Sequence, residues 1–469
     1  MRIPRRIALA LRRDPLLERL RREAERTGAE VFLVGGYLRD RFLRRPVRDC
    51  DFVLAGVRRP FLARVRRMAA GGVTLRRGGV TNHRFRIDGR ACDFVEVPGS
   101  RGVRAELRRR DFTVNALACN LRTGAILDPC GGLRDLARGR VRAATPGALA
   151  ADPLRILRGV RIACERPSFT LARETRRRMR AARRGIRTVA AERIRDEFDR
   201  ILLSGAAERG LRDLLALEAL FPTLPELEPL AGAHQAGGLS VLEHTLRVVG
   251  RAERRSRLGP YFAFSGTPAP EDLLVLLYAA LFHDSGKPAT FARERDGTIH
   301  FHGHETISRE IAAGFLRRWR FPLARAARIE RLVLNHLRVG WLAAGDPSDR
   351  ALRRVIRDLE NDLPLLLLHS LADRRSSAPR GRREDRRHRA TGRALYRMFR
   401  RRGRAILRPP RLVDGHDVMR VLRIGPGPAV GDILRDIRER HEEGAISTRK
   451  EALRYLRTLR KETIRTRIS

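Results

Sequence analysis

The 469-residue sequence predicts an α+β protein, in which a small mixed-sheet head is followed by an all-α remainder. Three observations carry that expectation. The short apolar runs that read as strands, bounded by glycine or charge, fall in the first part of the chain. Beyond them the apolar residues recur at helical spacing, as in AAERIRDEFDRIL (190–202). The length allows about three or four domains, and a hydrophobic content of 42% is enough to build their cores.

Residues 14–26 pattern as an amphipathic helix leading into the strand Val31 to Val34. Gly35-Gly36 end that strand and let backbone amides face outward without a Cβ in the way. Tyr37 to Leu43 reads as a helix whose first N–H groups are open to an anion such as a triphosphate. A second strand carries Asp49 and Asp51, which alternation places on one face, with Cys50 and Phe52 on the other. Two carboxylates beside a glycine turn suit Mg²⁺ ions holding a nucleoside triphosphate. A D-x-D alone reads more simply as an exposed strand end; the coupling to GG-x-x-RD favours the metal site. A helix at Pro60–Met68 and β-like segments at 73–76, 83–87 and 92–97 follow, the last carrying Asp93 as a further acid.

The formal net charge of +46 favours a polyanionic partner. Nearly all the basic residues are arginine; the only lysines are Lys287, Lys450 and Lys461. Five cysteines without paired spacing fit a reduced cytoplasm better than a disulfide framework or a zinc site. The basic N-terminus has too short an apolar run for a secretory signal. The longest apolar stretch, 273–282, is about half a membrane span, so no membrane partner is expected.

GG-Y-L-RD followed by D-C-D resembles the catalytic head of the class II tRNA nucleotidyltransferases and bacterial poly(A) polymerases, template-independent members of the DNA polymerase beta superfamily. RRRDFTVNALACN (108–120) resembles the family's RRDFT-x-NA motif. The resemblance implies that Arg110 contacts the nucleotide, that Asp111 lies near the ribose, and that Asn115 braces the turn. LDPCGGLRDL (127–136) matches a structural motif closing the head. ADPLRILRGVR (151–161) resembles the family's E-D-x-x-R template, with Ala151 in place of the leading Glu. Asp152 and Arg155, three apart, are expected on one helix face, accepting the amino groups of C and A and rejecting U and G. Arg158 is the matching triphosphate or base contact, and Gly35, Gly36 and Arg39 are expected to cradle phosphates. The arginine run 173–187 resembles the family's RNA-gripping neck.

LEHTLRVV, LLYAALFHDSGKP and DLPLLLLHSLADR place His244, His283-Asp284 and Asp373 in the order of the HD phosphohydrolase superfamily. The resemblance implies that these four bind a divalent metal, with His304 and His336 matching a second-metal position and Lys287 free to neutralise a phosphate. The expected domains are a head (1–145), an RNA-binding neck (146–224), an HD body (225–375), a flexible charged segment (376–409) and a helical tail (410–469).

The implied function is addition of C, and A with it, from CTP and ATP to the acceptor end of tRNA, with Mg²⁺ in the head. Three alternatives stand beside it. A CC-only enzyme is suggested by the short segment PGSRGVRAEL before Arg108, where the family usually carries a longer flexible one. The others are a poly(A) polymerase and an HD phosphohydrolase or RNA-binding protein with an inactive head.

Overall fold

The computed structural model describes residues 5–47, 49–56, 58–77, 80–235, 238–257, 268–377, 381–407, 411–442, 445–446 and 448–465. The chain divides into two compact units, Met1–Pro225 and Glu226–Ser469.

The first unit is built on one seven-stranded sheet: β1 (Glu30–Val34), β2 (Cys50–Ala55), β3 (Gly71–Arg77), β4 (Val80–Ile87), β5 (Arg90–Glu96), β6 (Ala118–Asn120) and β7 (Ile126–Leu127). They lie in the order β3-β4-β5-β2-β1-β6-β7. All described pairings are antiparallel except β2 with β5, which makes the sheet mixed as expected. Register runs Val34 opposite Asp51 and Asp51 opposite Asp93. One face buries Phe32, Val34, Val53 and Ala118 against Val103 and Leu107 of the Gly99–Arg108 helix. On the other, Phe52 stacks on Phe94 at 4.6 Å, and Phe61 of the Arg59–Met68 helix meets Phe94 edge-on at 6.0 Å.

The strand bounds agree with the sequence pattern to within a few residues, and Asp49 lies just before β2 rather than on it. Cys50 and Cys92 stand directly opposite each other on β2 and β5, a pairing that linear spacing conceals. All five cysteines are unbridged. Gly132, in the LDPCGG motif, opens a helix whose first amides bond to Asp128 at 2.7 and 3.0 Å. A Cβ at Gly132 would stand 2.1 Å from the Thr113 carbonyl oxygen, so only glycine lets that motif close on the RRRDFT turn.

Beyond the sheet the first unit is helical, through Arg155–Cys164, Arg173–Ala182, Ala191–Leu202 and Ala207–Ala216, with one two-residue strand pair. The second unit is helical apart from the 292–293/299–300 ladder. Its longest helix, Arg382–Leu407, overturns the expectation of a flexible segment at 376–409, of which 378–380, 408 and 409 lie outside the described residues. His388, Thr391 and Leu395 are buried at helical spacing, and the helix packs on Arg338–Ala344 and Asp349–Leu359. Arginine is a good helix former with a long aliphatic stem, so a charge-rich stretch with one narrow apolar stripe still folds. No described helix is long and apolar enough to cross a membrane.

Candidate active site and candidate metal centre

A cavity of about 820 Å³ opens at the end of β2 and gathers Gly36, Asp49, Asp51, Arg110, Arg155 and Arg158 in its lining. The glycine bend and the acid are in contact. Gly35 has φ +75°, and a Cβ there would meet Arg110 Nη1 at 2.9 Å and Asp51 Oδ2 at 3.0 Å. Arg110 in turn donates to Asp51 at 3.4 Å. Asp93, beside Asp51 in register, is held by Arg84 through two bonds of 2.8 Å. The Asp51 side chain keeps 43% of its surface exposed. Packing around it still withdraws enough water to push its pKa up; Arg110 opposes that, while Asp93 and Asp49 add to it. Three carboxylates crowded in this way are hard oxygen donors that repel one another, which fits divalent cations such as Mg²⁺.

Asp111 is buried and accepts from the Phe112 amide at 2.7 Å, Asn115 Nδ2 at 2.9 Å and Arg158 at 3.3 Å. Burial alone would raise its pKa; Arg158 and the other donors outweigh burial and leave it below the ordinary value. Asn115 braces the turn as expected, and its Oδ1 accepts from Arg39 at 2.9 Å. Arg39 lines the cavity, but its buried guanidinium is already engaged by Asn115 and Asp40, so it buttresses the wall.

Asp152 and Arg155 do not share a helix face. Asp152 is extended (φ −148°, ψ 97°) because a residue before proline, here Pro153, is pushed out of the helical region. Its carboxylate binds Arg193 at 2.9 Å. Arg155 begins the next helix and donates to the carbonyls of Arg109 at 3.0 Å and Ala148 at 3.1 Å. The wall behind it is a chain of ion pairs. Glu197 takes Arg158 at 3.1 Å and Arg161 at 2.7 Å, and Glu165 takes Arg161 and Arg45. Glu197 has a lowered pKa, burial being outweighed by the two arginines.

In the second unit two donor clusters lie back to back: His244, His283 and Asp373, then Asp284, His304 and His336. Asp284 joins them. Its Oδ2 is 3.2 Å from His283 Nε2 and 3.4 Å from His244 Nε2, and its Oδ1 is 3.3 Å from His304 Nε2. The Nδ1 atoms of His283, His304 and His336 each face a main-chain carbonyl, at 2.9, 2.7 and 2.7 Å. A proton on each Nδ1 leaves Nε2 as a lone pair pointing inward. His304 Nε2 and His336 Nε2 then face each other at 3.2 Å with no proton to share. That repulsion is relieved by a cation, so the donor set fits a divalent metal of the kind imidazole favours. Burial holds His336 well below its usual pKa and therefore neutral. Asp284 is depressed despite its burial, the Lys287 ammonium standing beside it. Lys287 is not free for a phosphate; it donates to Asp284 at 2.6 Å and Gln235 at 2.9 Å.

Residues 31–142 match a family model described as the poly A polymerase head domain, 168–230 one described as a probable RNA and SrmB-binding site of polymerase A, and 241–378 the HD domain. An A-adding tRNA nucleotidyltransferase of Deinococcus radiodurans is 36% identical over 385 residues, 79% of this chain and 82% of that protein. A CC-adding tRNA nucleotidyltransferase of Thermus thermophilus is 32% identical over 445 residues, 92% and 94% of the two chains. The chain belongs to the class II tRNA nucleotidyltransferase family. In fold it is similar to a Thermotoga maritima CCA-adding enzyme complexed with tRNA, with a TM-score of 0.61 at 18% identity over 96% of this chain and 97% of that one.

Within this nucleotidyltransferase, pattern reading missed several residues. Arg109 and Arg200 reach the cavity with no carboxylate at ion-pair distance among the described residues. Glu165 and Glu197 hold the arginine wall, and His369 lies against the histidine cluster. Only Arg109, inside RRRDFT, carried a signal in the sequence; the others sit on ordinary helix faces.

Proposed function

We propose that this nucleotidyltransferase extends the 3′ end of tRNA with C and A, taken from CTP and ATP. The RNA 3′-hydroxyl attacks the α-phosphate, the bond to the β-phosphate oxygen breaks, and pyrophosphate leaves. The observation that carries this reading is the convergence of the Gly35 bend, Asp51 and Arg110 at one cavity. Relatives named for adding A and for adding CC to tRNA support the acceptor.

Asp49 and Asp51 are the residues to hold Mg²⁺, which when bound supplies positive charge for the attacking and leaving oxygens. Gly35 and Gly36 let the triphosphate approach the backbone, and Arg110, with Arg109 and Arg200, supplies cationic contacts to it. Asp111 positions Arg158 at the cavity wall. Asp152 and Arg155 read the base once Asp152 exchanges Arg193 for an exocyclic amino group. The exposed arginines of Arg173–Ala182 and the residues after it grip the acceptor stem by its phosphates. The division into head (1–145), neck (146–224), HD body (225–375) and tail (410–469) is part of the same reading. So are a cytoplasmic location, which unbridged cysteines suit, and a set of ligands, His244, His283, Asp284 and Asp373 with His304 and His336, that would hold a divalent metal able to activate water toward a phosphoester.

The test is incubation of tRNA lacking its CCA end with each labelled nucleoside triphosphate, read at nucleotide resolution. Stepwise C, C and A addition supports the reading. Undiminished incorporation by Asp49→Ala or Asp51→Asn sinks it. A CC-only product is favoured by one observation: the segment before Arg109 is a ten-residue helix, Gly99–Arg108, packed by Val103 and Leu107, not a long loop. Arrest at CC decides for that reading.

A further inference from the structure

His369 lies within DLPLLLLHSLADR but has been given no role so far. It lies on the Leu363–Ser376 helix, one turn before Asp373 and therefore on the same face. Its residue surface is 1% exposed, and neither ring nitrogen has a hydrogen-bond partner. Its polar neighbours on that helix are satisfied: Ser370 pairs with His388 Nε2 at 2.8 Å, and Ser376 donates to the Ala372 carbonyl at 2.8 Å. The His369 ring stands edge-on to His283 with centroids 4.9 Å apart, and 6.0 Å from His336. His244 and His283 are themselves 5.4 Å apart and His304 and His336 5.1 Å, so His369 packs against the cluster at a comparable ring spacing. Leaving buried polar atoms unpaired destabilises the fold. Four consecutive leucines precede this residue, and a fifth would avoid that cost if the position only filled space.

We infer that His369 is a seventh member of this donor set, a residue that would present a ring nitrogen to a divalent cation held by the cluster. This rests on the reading that the histidine cluster holds metal. Five imidazoles around two carboxylates select Mn²⁺, Fe²⁺, Co²⁺ or Zn²⁺ over Mg²⁺ or Ca²⁺, which prefer all-oxygen ligands.

The experiment uses the full chain stripped with a chelator and titrated with Mn²⁺ by calorimetry, with Co²⁺ absorption as a second readout. Wild type takes up metal at this centre, and His369→Leu weakens at least one binding step by about tenfold or more and alters the Co²⁺ spectrum. Unchanged affinity and spectrum in His369→Leu, with an equal or higher melting temperature of the metal-free protein, overturn the inference and make His369 a tolerated core residue. Absence of uptake by wild type overturns the metal reading itself and this inference with it. Should His369→Leu not fold, ¹⁵N imidazole spectra of wild type with and without Zn²⁺ decide. A His369 resonance that moves with the other four supports the assignment, and one that stays still ends it.

Discussion

The head cavity and the histidine centre both gather carboxylates, yet they differ in what surrounds them. Asp49 and Asp51 stand at an open mouth, half in water, with arginines on the opposite wall. Asp284 and its imidazoles are buried, and three of the rings are pinned through Nδ1 to the carbonyl three residues earlier. An open oxygen site can exchange cations with each incoming triphosphate, whereas a buried nitrogen-rich site is built to keep its ion. The first geometry suits a substrate that carries its metal in, the second a resident metal.

The strongest attempt to break this comparison is Asp51→Asn. Nucleotide incorporation should fall roughly 10³-fold or more while a filter-binding assay still detects tRNA, because the arginine neck is untouched. Next is Glu197→Gln, which leaves Arg158 and Arg161 without their shared carboxylate. Breaking one side of a buried pair costs about 3 kcal/mol, read by denaturant unfolding at neutral pH. Glu197 and Asp111 both have pKa values depressed in the folded protein. Their contribution is therefore complete above their unfolded values, about 4.3 and 3.9, and is lost as pH falls through the lower folded values. Wild type should accordingly lose stability below about pH 4 more steeply than Glu197→Gln. Gly35→Ala comes third: the positive φ and the approach to Arg110 and Asp51 cost about 1–3 kcal/mol, seen as a raised KM for CTP. The smallest effect sharpens the comparison in time. After chelation and a return of metal, incorporation should recover on mixing, while Mn²⁺ leaves the histidine centre measurably more slowly.

Much of the head was legible because its signals are local. The GG bend, the alternation around Asp51 and the RRRDFT turn each fix their own geometry within a few residues, and the strands follow from apolar runs ended by glycine. The HD residues were legible as an ordered set. Asp152 was misread because helix spacing was counted across Pro153, whose ring dictates the residue before it. The charged stretch 376–409 was misread because charge density hid a stripe of His388, Thr391 and Leu395. Glu197, Arg200 and His369 carried no sequence signal at all. Their roles exist only once separate helices meet, and a buried histidine in a leucine run looks like core until its nitrogens are seen to lack partners.

Strands β2 and β5 both read Cys-Asp-Phe, and in their parallel register thiol faces thiol, acid faces acid and ring stacks on ring. The two edges of this plate therefore differ in chemical hardness, oxygen toward the cavity and sulfur toward the core. A slip of both strands by a single position would turn every side chain over and offer soft sulfur to the substrate, a surface for copper(I) or mercury in place of magnesium. The burial of Phe52 and Phe94, with Phe61 packed on Phe94, opposes that slip and thus helps decide which part of the periodic table the enzyme can use.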